Sequence, residues 1–271
     1  MAKDLRDRFR VEPGKKAALD RRDPADTADV RDKQRAEKPL LQNLERLREL
    51  QFRLYAEGRR SVLIILQAMD AAGKDGTISH VMSGLNPHGC RVTSFKKPSV
   101  EETRHDFLWR IHKGVPEGGQ IGIFNRSHYE DVLVVRVHEL VPRPVWSKRY
   151  EQINAFERIL SENGVTVLKF FLHISKDEKR ERLKARIDDS TRHWKLAPED
   201  FAERRFWNDY IKAYEDALTR CSTPWAPWYL IPANRKWFRN LAVSSILVRT
   251  LEEIDPKFPP TAIDVSKLRL V

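Results

Sequence analysis

A short loop of small residues followed by a lysine is the feature of this sequence most able to do chemistry. Residues 68–74 read AMDAAGK and follow a continuous apolar run at 61–67, while an apolar stripe of helical spacing comes after Lys74. Free N–H groups at the start of a helix, together with a lysine ammonium, can surround phosphate oxygens. The spacing therefore predicts a phosphate-binding loop of the P-loop pattern. The alternative is that Gly73 only ends a strand and that Lys74 is a solvated residue at the start of a helix.

Two positions of this loop depart from the usual P-loop pattern. Ala68 stands where the first glycine is usual, and Asp75 stands where a serine or threonine normally reaches Mg²⁺. A metal ion at this loop would therefore have to be held by other carboxylates. Asp70, inside the loop, is the obvious candidate.

A polar cluster follows a second apolar run of strand length. Residues 120–124 lead into the sequence NRSHYED at 125–131. Ligands collect at the carboxyl ends of the strands in doubly wound sheets, so this cluster should face the phosphate-binding loop. Arg126 would stabilise charge on a moving phosphoryl group, and Glu130 and Asp131 could hold Mg²⁺ directly or through water. The alternative is a capping cluster with a surface ion pair.

A third cluster is basic and belongs to a predicted helix at residues 176–188. Lys179, Arg182 and Arg186 share one face of this helix, and Arg180 and Lys184 lie beside that face. Such a helix can close over phosphates as a lid, and Trp194 beyond it could stack on a base or shield the site. A solvated face is the alternative, because acidic residues intersperse the basic ones. The eight histidines have no metal-ligand spacing, and only His128 is expected near the chemistry.

The overall composition is that of a strongly basic globular protein. The 271 residues carry a formal net charge of +11 with a pI near 9.7, which favours a polyanionic partner such as nucleic acid, an anionic membrane or inorganic polyphosphate. Cys90 and Cys221 lie far apart and predict neither a zinc site nor a disulfide framework. A membrane span needs about eighteen consecutive apolar residues, and no apolar stretch of this sequence is that long. The charged start lacks the apolar core of a signal peptide. We therefore expect a cytoplasmic protein without a membrane partner.

The elements that must position these clusters alternate between strands and helices. Apolar runs predict strands at 61–67, 91–95, 120–124, 165–173 and 228–231, and helical stripes predict helices at 40–58, 78–85, 100–114, 146–163, 176–188, 198–221 and 237–254. This alternation predicts an α/β fold with a three-layer, doubly wound parallel sheet. We expect residues 1–38 to form a charged N-terminal arm that wraps the surface or pairs with another subunit. Residues 39–271 should form a single domain with a helical lid at about 176–205.

Several segments in the same order resemble the polyphosphate kinase 2 family, whose members are P-loop proteins related in fold to thymidylate kinase. Within about residues 40–250 the matching segments are LQAMDAAGKDGT at 66–77, NP at 86–87, TSFK at 93–96, IFNRSHYED at 123–131, KFFLHISK at 169–176, WK at 194–195 and APW at 226–228. In that family Asp75 is the usual residue. Many members have aspartate in place of Asn125, and the asparagine version resembles the class III branch, which phosphorylates both nucleoside monophosphates and diphosphates.

The resemblance implies a fold of the P-loop kinase type and reversible transfer of the terminal phosphoryl group of polyphosphate to AMP, ADP or both. Mg²⁺ is the implied metal, with Mn²⁺ as an alternative, and with asparagine at 125 its ligands would be Asp70, Glu130 and Asp131. The implied catalytic residues are Asp70, Lys74 and Arg126. Those implied for phosphate or nucleotide binding are Ala71, Ala72, Gly73, Lys74, Asp75, Gly76, Asn86, Arg110, Asn125 and Arg136, and those for polyphosphate are Lys96, Arg180, Arg182 and Arg186.

The expected partners are inorganic polyphosphate and adenine nucleotides, with guanine nucleotides as an alternative, and we expect a homo-oligomer without nucleic acid. Two other functions stay open. An ATP-dependent nucleoside monophosphate kinase of the thymidylate kinase type is permitted by the fold alone. A basic nucleic-acid-binding protein would explain the net charge, although the sequence has no helix-turn-helix, zinc-finger or RNA-binding signature.

Overall fold

Five parallel strands form one sheet in the computed structural model of the chain, which describes residues 4–261, 263, 268 and 269. The strands are β1 (Ser61–Ala68), β2 (Cys90–Ser94), β3 (Ile121–Asn125), β4 (Val165–His173) and β5 (Trp228–Pro232). Their order across the sheet is β2-β3-β1-β4-β5, so the chain builds first on one side of β1 and then on the other. The predicted doubly wound parallel sheet is confirmed.

Helices cover both faces of the sheet. They are α1 (Leu5–Phe9), α2 (Lys33–Glu57), α3 (Lys74–Val81), α4 (Trp109–His112), α5 (Val134–Val137), α6 (Arg143–Trp146), α7 (Arg149–Glu162), α8 (Lys176–Ile187), α9 (Pro198–Ala202), α10 (Trp207–Cys221) and α11 (Lys236–Ile254). Within the described part of the chain, no helix is long and apolar enough to cross a lipid bilayer.

The central strand β1 is buried along its whole length because both of its faces meet a core. Leu63 and Ile65 belong to the core that includes α7 and α10. Val62, Ile64 and Leu66 belong to the core that includes α2 and α11. A strand covered on both faces needs a continuous apolar run, which is the pattern that predicted it.

Two of the predicted helices are wrong in part. Residues 100–114 form only a 3₁₀ turn at Glu102–Arg104 and the short helix α4. Between them the Asp106 carboxylate accepts a backbone N–H two residues further on at 2.9 Å, and polar side chains that capture local N–H groups favour turns over helix. Residues 198–221 likewise divide into α9, a 3₁₀ turn at Glu203–Phe206 and α10.

The N-terminal segment packs along the edge of the sheet at β5. Phe9 and Val11 are buried, and the Val11 N–H donates to the Trp228 carbonyl at 2.8 Å. This contact covers an edge strand that would otherwise expose unpaired backbone groups. Helix α2 begins at Lys33, so the expected boundary between residues 38 and 39 lies inside this helix.

Candidate active site

The loop between β1 and α3 turns the chain sharply at two positions. Ala71 has a φ of 64°, and Gly73, the N-cap of α3, has a φ of 103°. Such a φ strains a residue that has a Cβ atom, which is why glycine is needed at Gly73. The buried Thr77 donates its hydroxyl to the Gly73 carbonyl at 3.0 Å and fixes the turn. The first N–H groups of α3 have no partner within the helix and are available to a ligand.

Lys74 lies between this loop and the end of β3. Its ammonium donates to the Ala68 carbonyl at 3.1 Å. Burial lowers the pKa of Lys74, the neighbouring Arg126 lowers it further, and Asp70 and Glu130 oppose that change. The ammonium therefore shares one electrostatic environment with the side chains that follow β3.

Arg126 faces the loop because β1 and β3 are neighbours whose carboxyl ends meet, with Leu66 opposite Asn125. The Arg126 guanidinium donates to Asp70 at 3.1 Å and lies 3.9 Å from Glu130. Burial alone would lower the pKa of Arg126, but these two carboxylates hold it above its ordinary value. The structure thus brings together the loop and the polar cluster that the sequence places at two strand ends.

Asn125 and Asp75 contact each other at the same edge of the sheet. The Asn125 side-chain amide donates to the Asp75 carboxylate at 2.7 Å. This bond joins the end of β3 to the first turn of α3, where a negative charge is favoured by the helix dipole. Asp75 therefore has a neutral donor of its own.

A small pocket opens between the loop, the turn after β3 and α10. It has a volume of about 30 Å³ and is lined by Ala68, Met69, Asp70, Arg126, Glu130, Val134, Lys179, Tyr210 and Tyr214. Tyr210 and Tyr214 are not recognisable as site residues in the sequence, because a spacing of four is also that of an apolar helix stripe. Burial raises the pKa of both phenols, so they stay protonated and can donate hydrogen bonds.

Arg182 contradicts its expected role as a guide for polyphosphate, because its side chain is buried behind the loop with 9% exposure. Its guanidinium donates to four backbone carbonyls, two in the loop and two after β5, which are Ala71 at 3.2 Å, Ala72 at 2.7 Å, Ala233 at 2.5 Å and Asn234 at 3.2 Å. Arg182 thus ties α8 to the phosphate-binding loop.

The other residues expected to contact polyphosphate lie at two separate places. Arg180 is exposed and Arg186 is half-buried, both on α8. Lys96 is exposed beyond β2, where its carbonyl accepts a hydrogen bond from Arg110 at 2.8 Å. Arg110 also lies 3.5 Å from Glu102. Lys96, Arg110 and Glu102 line a basic cleft of about 370 Å³ that is separate from the pocket at Asp70.

Two residues expected to bind the nucleotide also lie outside that pocket. The Asn86 side chain accepts the His88 N–H at 3.0 Å and caps a short turn before β2. Because β2 runs parallel to β1, its amino end is at the edge of the sheet away from the loop, which contradicts the role expected for Asn86. Arg136 donates to Tyr150 at 3.1 Å and to Asp216 at 2.6 Å, and it lines another cleft of about 960 Å³.

The three carboxylates expected to hold a metal ion do not converge. Arg149 donates to the Asp131 carboxylate at 2.8 Å, and burial raises the pKa of Asp131 to about 6 despite this ion pair. Among the described residues, no three His, Cys, Asp or Glu side chains are placed to hold a metal ion together. Of the three carboxylates expected to hold the metal ion, Asp70 and Glu130 line the pocket and Asp131 does not. Two carboxylates fit Mg²⁺, which keeps waters and substrate phosphates as its other ligands.

His128 is not in the pocket, which contradicts its expected place near the chemistry. Its side chain is fully buried, and its Nε2 atom lies 3.2 Å from the Glu157 carboxylate. Burial lowers the pKa of His128, so the ring is neutral. It belongs to the core beneath the turn that follows Arg126.

A parallel sheet with a Gly-Lys loop after its central strand and an arginine after the adjacent strand defines a protein of the P-loop kinase type. The family model described as polyphosphate kinase 2 matches residues 30–259. The chain therefore belongs to the polyphosphate kinase 2 family, and the resemblance found in the sequence is confirmed.

Individual relatives match almost the whole chain. One from Meiothermus ruber, named AMP/ADP-polyphosphate phosphotransferase, is 53% identical over 253 residues, which are 93% of this chain and 95% of the relative. One from Rhodopseudomonas palustris, named ADP-polyphosphate phosphotransferase, is 46% identical over 93% of this chain and 92% of its own length. The crystal structure of polyphosphate kinase 2 from Arthrobacter aurescens TC1 has a TM-score of 0.94 and 44% identity, and the match covers 98% of this chain and 95% of that one.

Proposed function

We propose that the protein transfers the terminal phosphoryl group of inorganic polyphosphate to AMP and to ADP, forming ADP and ATP in a reversible reaction. One observation carries this proposal. The charges of Lys74 and Arg126 lie close enough to interact, and both are beside Asp70 and Glu130, in a chain that is 53% identical to a relative named for both acceptors. The asparagine at position 125, which resembles the class III branch, agrees with the use of both acceptors.

Phosphoryl transfer between phosphates asks for little covalent chemistry from the protein. The attacking oxygen of AMP or ADP belongs to an ionised phosphate at neutral pH, so no general base has to remove a proton. One P–O–P bond of polyphosphate breaks while a bond to the acceptor oxygen forms, and the shortened polyphosphate leaves as an anion. What the protein must supply is position and stabilisation of charge.

Residues of the phosphate-binding loop and of the pocket beside it divide this work. The N–H groups at the start of α3 and the Lys74 ammonium hold phosphate oxygens. Arg126, already oriented by Asp70 and Glu130, stabilises the charge on the moving phosphoryl group. Tyr210 and Tyr214 of α10, which also line the pocket, remain protonated.

Asp70 and Glu130 would hold Mg²⁺, or Mn²⁺ in its place, since both carboxylates line the pocket beside Arg126. When bound, the ion screens the charge between donor and acceptor phosphates. Asp131 is left out of this set because Arg149 takes its carboxylate.

Other expectations stay predictions. They are the use of guanine nucleotides, a homo-oligomer, and the division into an arm at residues 1–38 and a domain at residues 39–271 with its lid at about 176–205. Arg180, which is exposed on α8, keeps its predicted contact with polyphosphate.

The proposal is tested by incubating the protein with long-chain polyphosphate, Mg²⁺ and either AMP or ADP, without ATP, and following the nucleotides by chromatography. We expect ATP from ADP, and from AMP first ADP and then ATP. Products that form only with ATP as donor would identify an ATP-dependent nucleoside monophosphate kinase instead. If neither donor works, and salt-sensitive DNA binding persists in Lys74→Ala, the nucleic-acid-binding alternative would take its place.

A further inference from the structure

A second buried arginine, Arg239 on α11, lies behind the phosphate-binding loop. Its side chain is 3% exposed. The guanidinium donates to the neutral side-chain oxygen of Asn240 at 2.8 and 3.1 Å and to the Ala72 carbonyl at 3.4 Å. In the part of the chain that the structure describes, no carboxylate forms a hydrogen bond or an ion pair with Arg239. It therefore holds a buried positive charge that no negative side chain of the described residues pairs with.

The neighbours of Arg239 make this charge more costly. Burial, and after it the positive charge of Arg182, lowers the pKa of Arg239 to about 10. Burial also lowers the pKa of Lys236, one turn earlier on α11; Arg182, Arg192 and Arg239 add to that effect, and Glu178 opposes it. A buried cation among other cations costs free energy unless an anion lies near it. The arrangement is that of a site prepared for a negatively charged ligand.

The Arg239 guanidinium lies directly against the backbone of the loop. A Cβ atom at Gly73 would stand 2.1 Å from one of its nitrogens, and a Cβ atom at Gly76 would stand 3.4 Å from another. Only residues without a side chain allow the charge to come so close to the loop. Arg239 is thus next to the N–H groups that the ligand phosphates would meet.

The carbonyl that Arg239 shares with Arg182 sets the direction of a peptide group. Ala72 accepts from Arg182 at 2.7 Å and from Arg239 at 3.4 Å. In a trans peptide the carbonyl and the following N–H point in opposite directions. Two arginines behind the Ala72 carbonyl therefore direct the Gly73 N–H away from themselves.

We propose that Arg239 is a positioning residue for phosphoryl transfer, which fixes the Ala72–Gly73 peptide and supplies a positive charge that a bound phosphate chain offsets. The inference rests on the proposed function and adds to it a residue of the last helix that does not line the pocket. The same charge that is unfavourable in the free protein becomes favourable when polyphosphate binds.

Because the charge of Arg239 is unfavourable in the free protein, Arg239→Met should weaken polyphosphate binding without lowering stability. The variant keeps a long side chain in the space, and the Ala72 carbonyl keeps its bond from Arg182. We therefore expect no loss in the free energy of unfolding without ligand. The KM for polyphosphate should rise about 10- to 100-fold, the loss of one interaction with a charged group. The value of kcat should change less, because the charge acts on bound substrate and transition state alike.

Denaturant unfolding with and without inorganic tripolyphosphate, at constant ionic strength, measures both halves of the prediction. The proteins to compare are the wild type, Arg239→Met, Arg239→Lys and the control Arg249→Met, which removes an exposed arginine of the same helix. Tripolyphosphate should stabilise the wild type and the control equally and Arg239→Met much less. Arg239→Lys keeps the charge, so tripolyphosphate should stabilise it almost as much as it stabilises the wild type. Its KM for polyphosphate should be close to the wild-type value.

Two results would overturn the inference. One is an Arg239→Met protein that is destabilised or unfolded without ligand while Arg239→Lys responds to tripolyphosphate no better than it does, because Arg239 would then only fill space. The other is an Arg239→Met protein with the full stabilisation by tripolyphosphate. A wild type that tripolyphosphate does not stabilise would instead count against the proposed function, which keeps the two failures apart.

Discussion

Buried charge is handled in opposite ways at two places in this molecule. In the core beneath the turn after β3, the Lys169 ammonium contacts the Glu157 carboxylate at 2.5 Å, the Tyr129 hydroxyl at 2.8 Å and the Cys221 carbonyl at 2.6 Å. Burial alone would raise the pKa of Glu157, but Lys169 and His128 hold it below its ordinary value. Every charge in this cluster has a partner.

Behind the phosphate-binding loop the balance is different. Arg182 has Glu178 at 2.7 Å, but Arg239 has only neutral acceptors among the described residues. A completed ion pair serves the fold, because nothing is left for a ligand to satisfy. An excess of positive charge next to N–H groups that are available to a ligand favours the binding of an anion. The presence of a charged partner thus distinguishes structural from functional buried charges, which residue type alone does not.

The largest expected effect is on the core cluster. Lys169→Met leaves Glu157 buried without its partner and should lower the free energy of unfolding by about 3–5 kcal/mol in denaturant titrations. The double variant with Glu157→Gln should lose less, since no charge is left unpaired. A loss below about 1 kcal/mol in the single variant would mean that the cluster does not carry the stability assigned to it.

The next effect concerns Arg126. Arg126→Ala should lower turnover about 10²–10³-fold, the usual loss of one preorganised donor to the transition state, with little change in thermal unfolding. Arg158→Ala, which removes an exposed arginine paired with Glu162, is the matched control and should leave turnover unchanged. Turnover close to that of the wild type in Arg126→Ala would remove this residue from the mechanism.

A smaller effect should appear in the pH dependence of stability. Burial raises the pKa of Asp131 from 3.8 to about 6, so the folded protein binds this proton more tightly than the unfolded chain. The contribution of Asp131 to stability is therefore present below about pH 4 and is lost as the pH rises to about 6, with a size of at most about 3 kcal/mol.

Asp131→Asn removes this titration and provides the comparison. The unfolding free energy of the wild type minus that of Asp131→Asn should fall between about pH 4 and pH 6. A difference that instead grew with pH across this window would show that the ion pair with Arg149 outweighs burial.

The smallest effect is expected at Asn86. Asn86→Ala should cost about 1 kcal/mol of stability, because it removes the side-chain cap of a short turn. The KM values for AMP and ADP should change less than about twofold, which is below 1 kcal/mol. A tenfold rise in either KM would restore the nucleotide role that the position of Asn86 argues against.

Features with a local signal could be predicted from the sequence. The strand at residues 165–173 has the predicted bounds, and Asp70 and Arg126 meet because each follows a strand end, where the topology of a doubly wound sheet brings them together. Apolar runs and turn residues occur in the sequence at the positions where the strands and turns form.

The failures have a common cause. The spacing of Lys179 and Arg182 predicts a shared helix face but not its contacts. Arg182 contacts the back of the loop, whereas Lys179 lines the pocket at Asp70. No sequence pattern indicates that Arg239 lies near the loop, because only the packing of α11 brings it there. Asn86 precedes a proline, a turn signal that the resemblance to a family motif outweighed.

The most direct test of phosphoryl transfer at this site uses polyphosphate labelled with ³²P in its terminal phosphoryl group, incubated with AMP and Mg²⁺ but no ATP. The wild type should pass the label first into ADP and then into ATP. Lys74→Ala should unfold like the wild type and pass label into neither. Label that reaches both nucleotides in Lys74→Ala, or that reaches neither in the wild type, would contradict the assignment of this loop as the site of polyphosphate-dependent transfer.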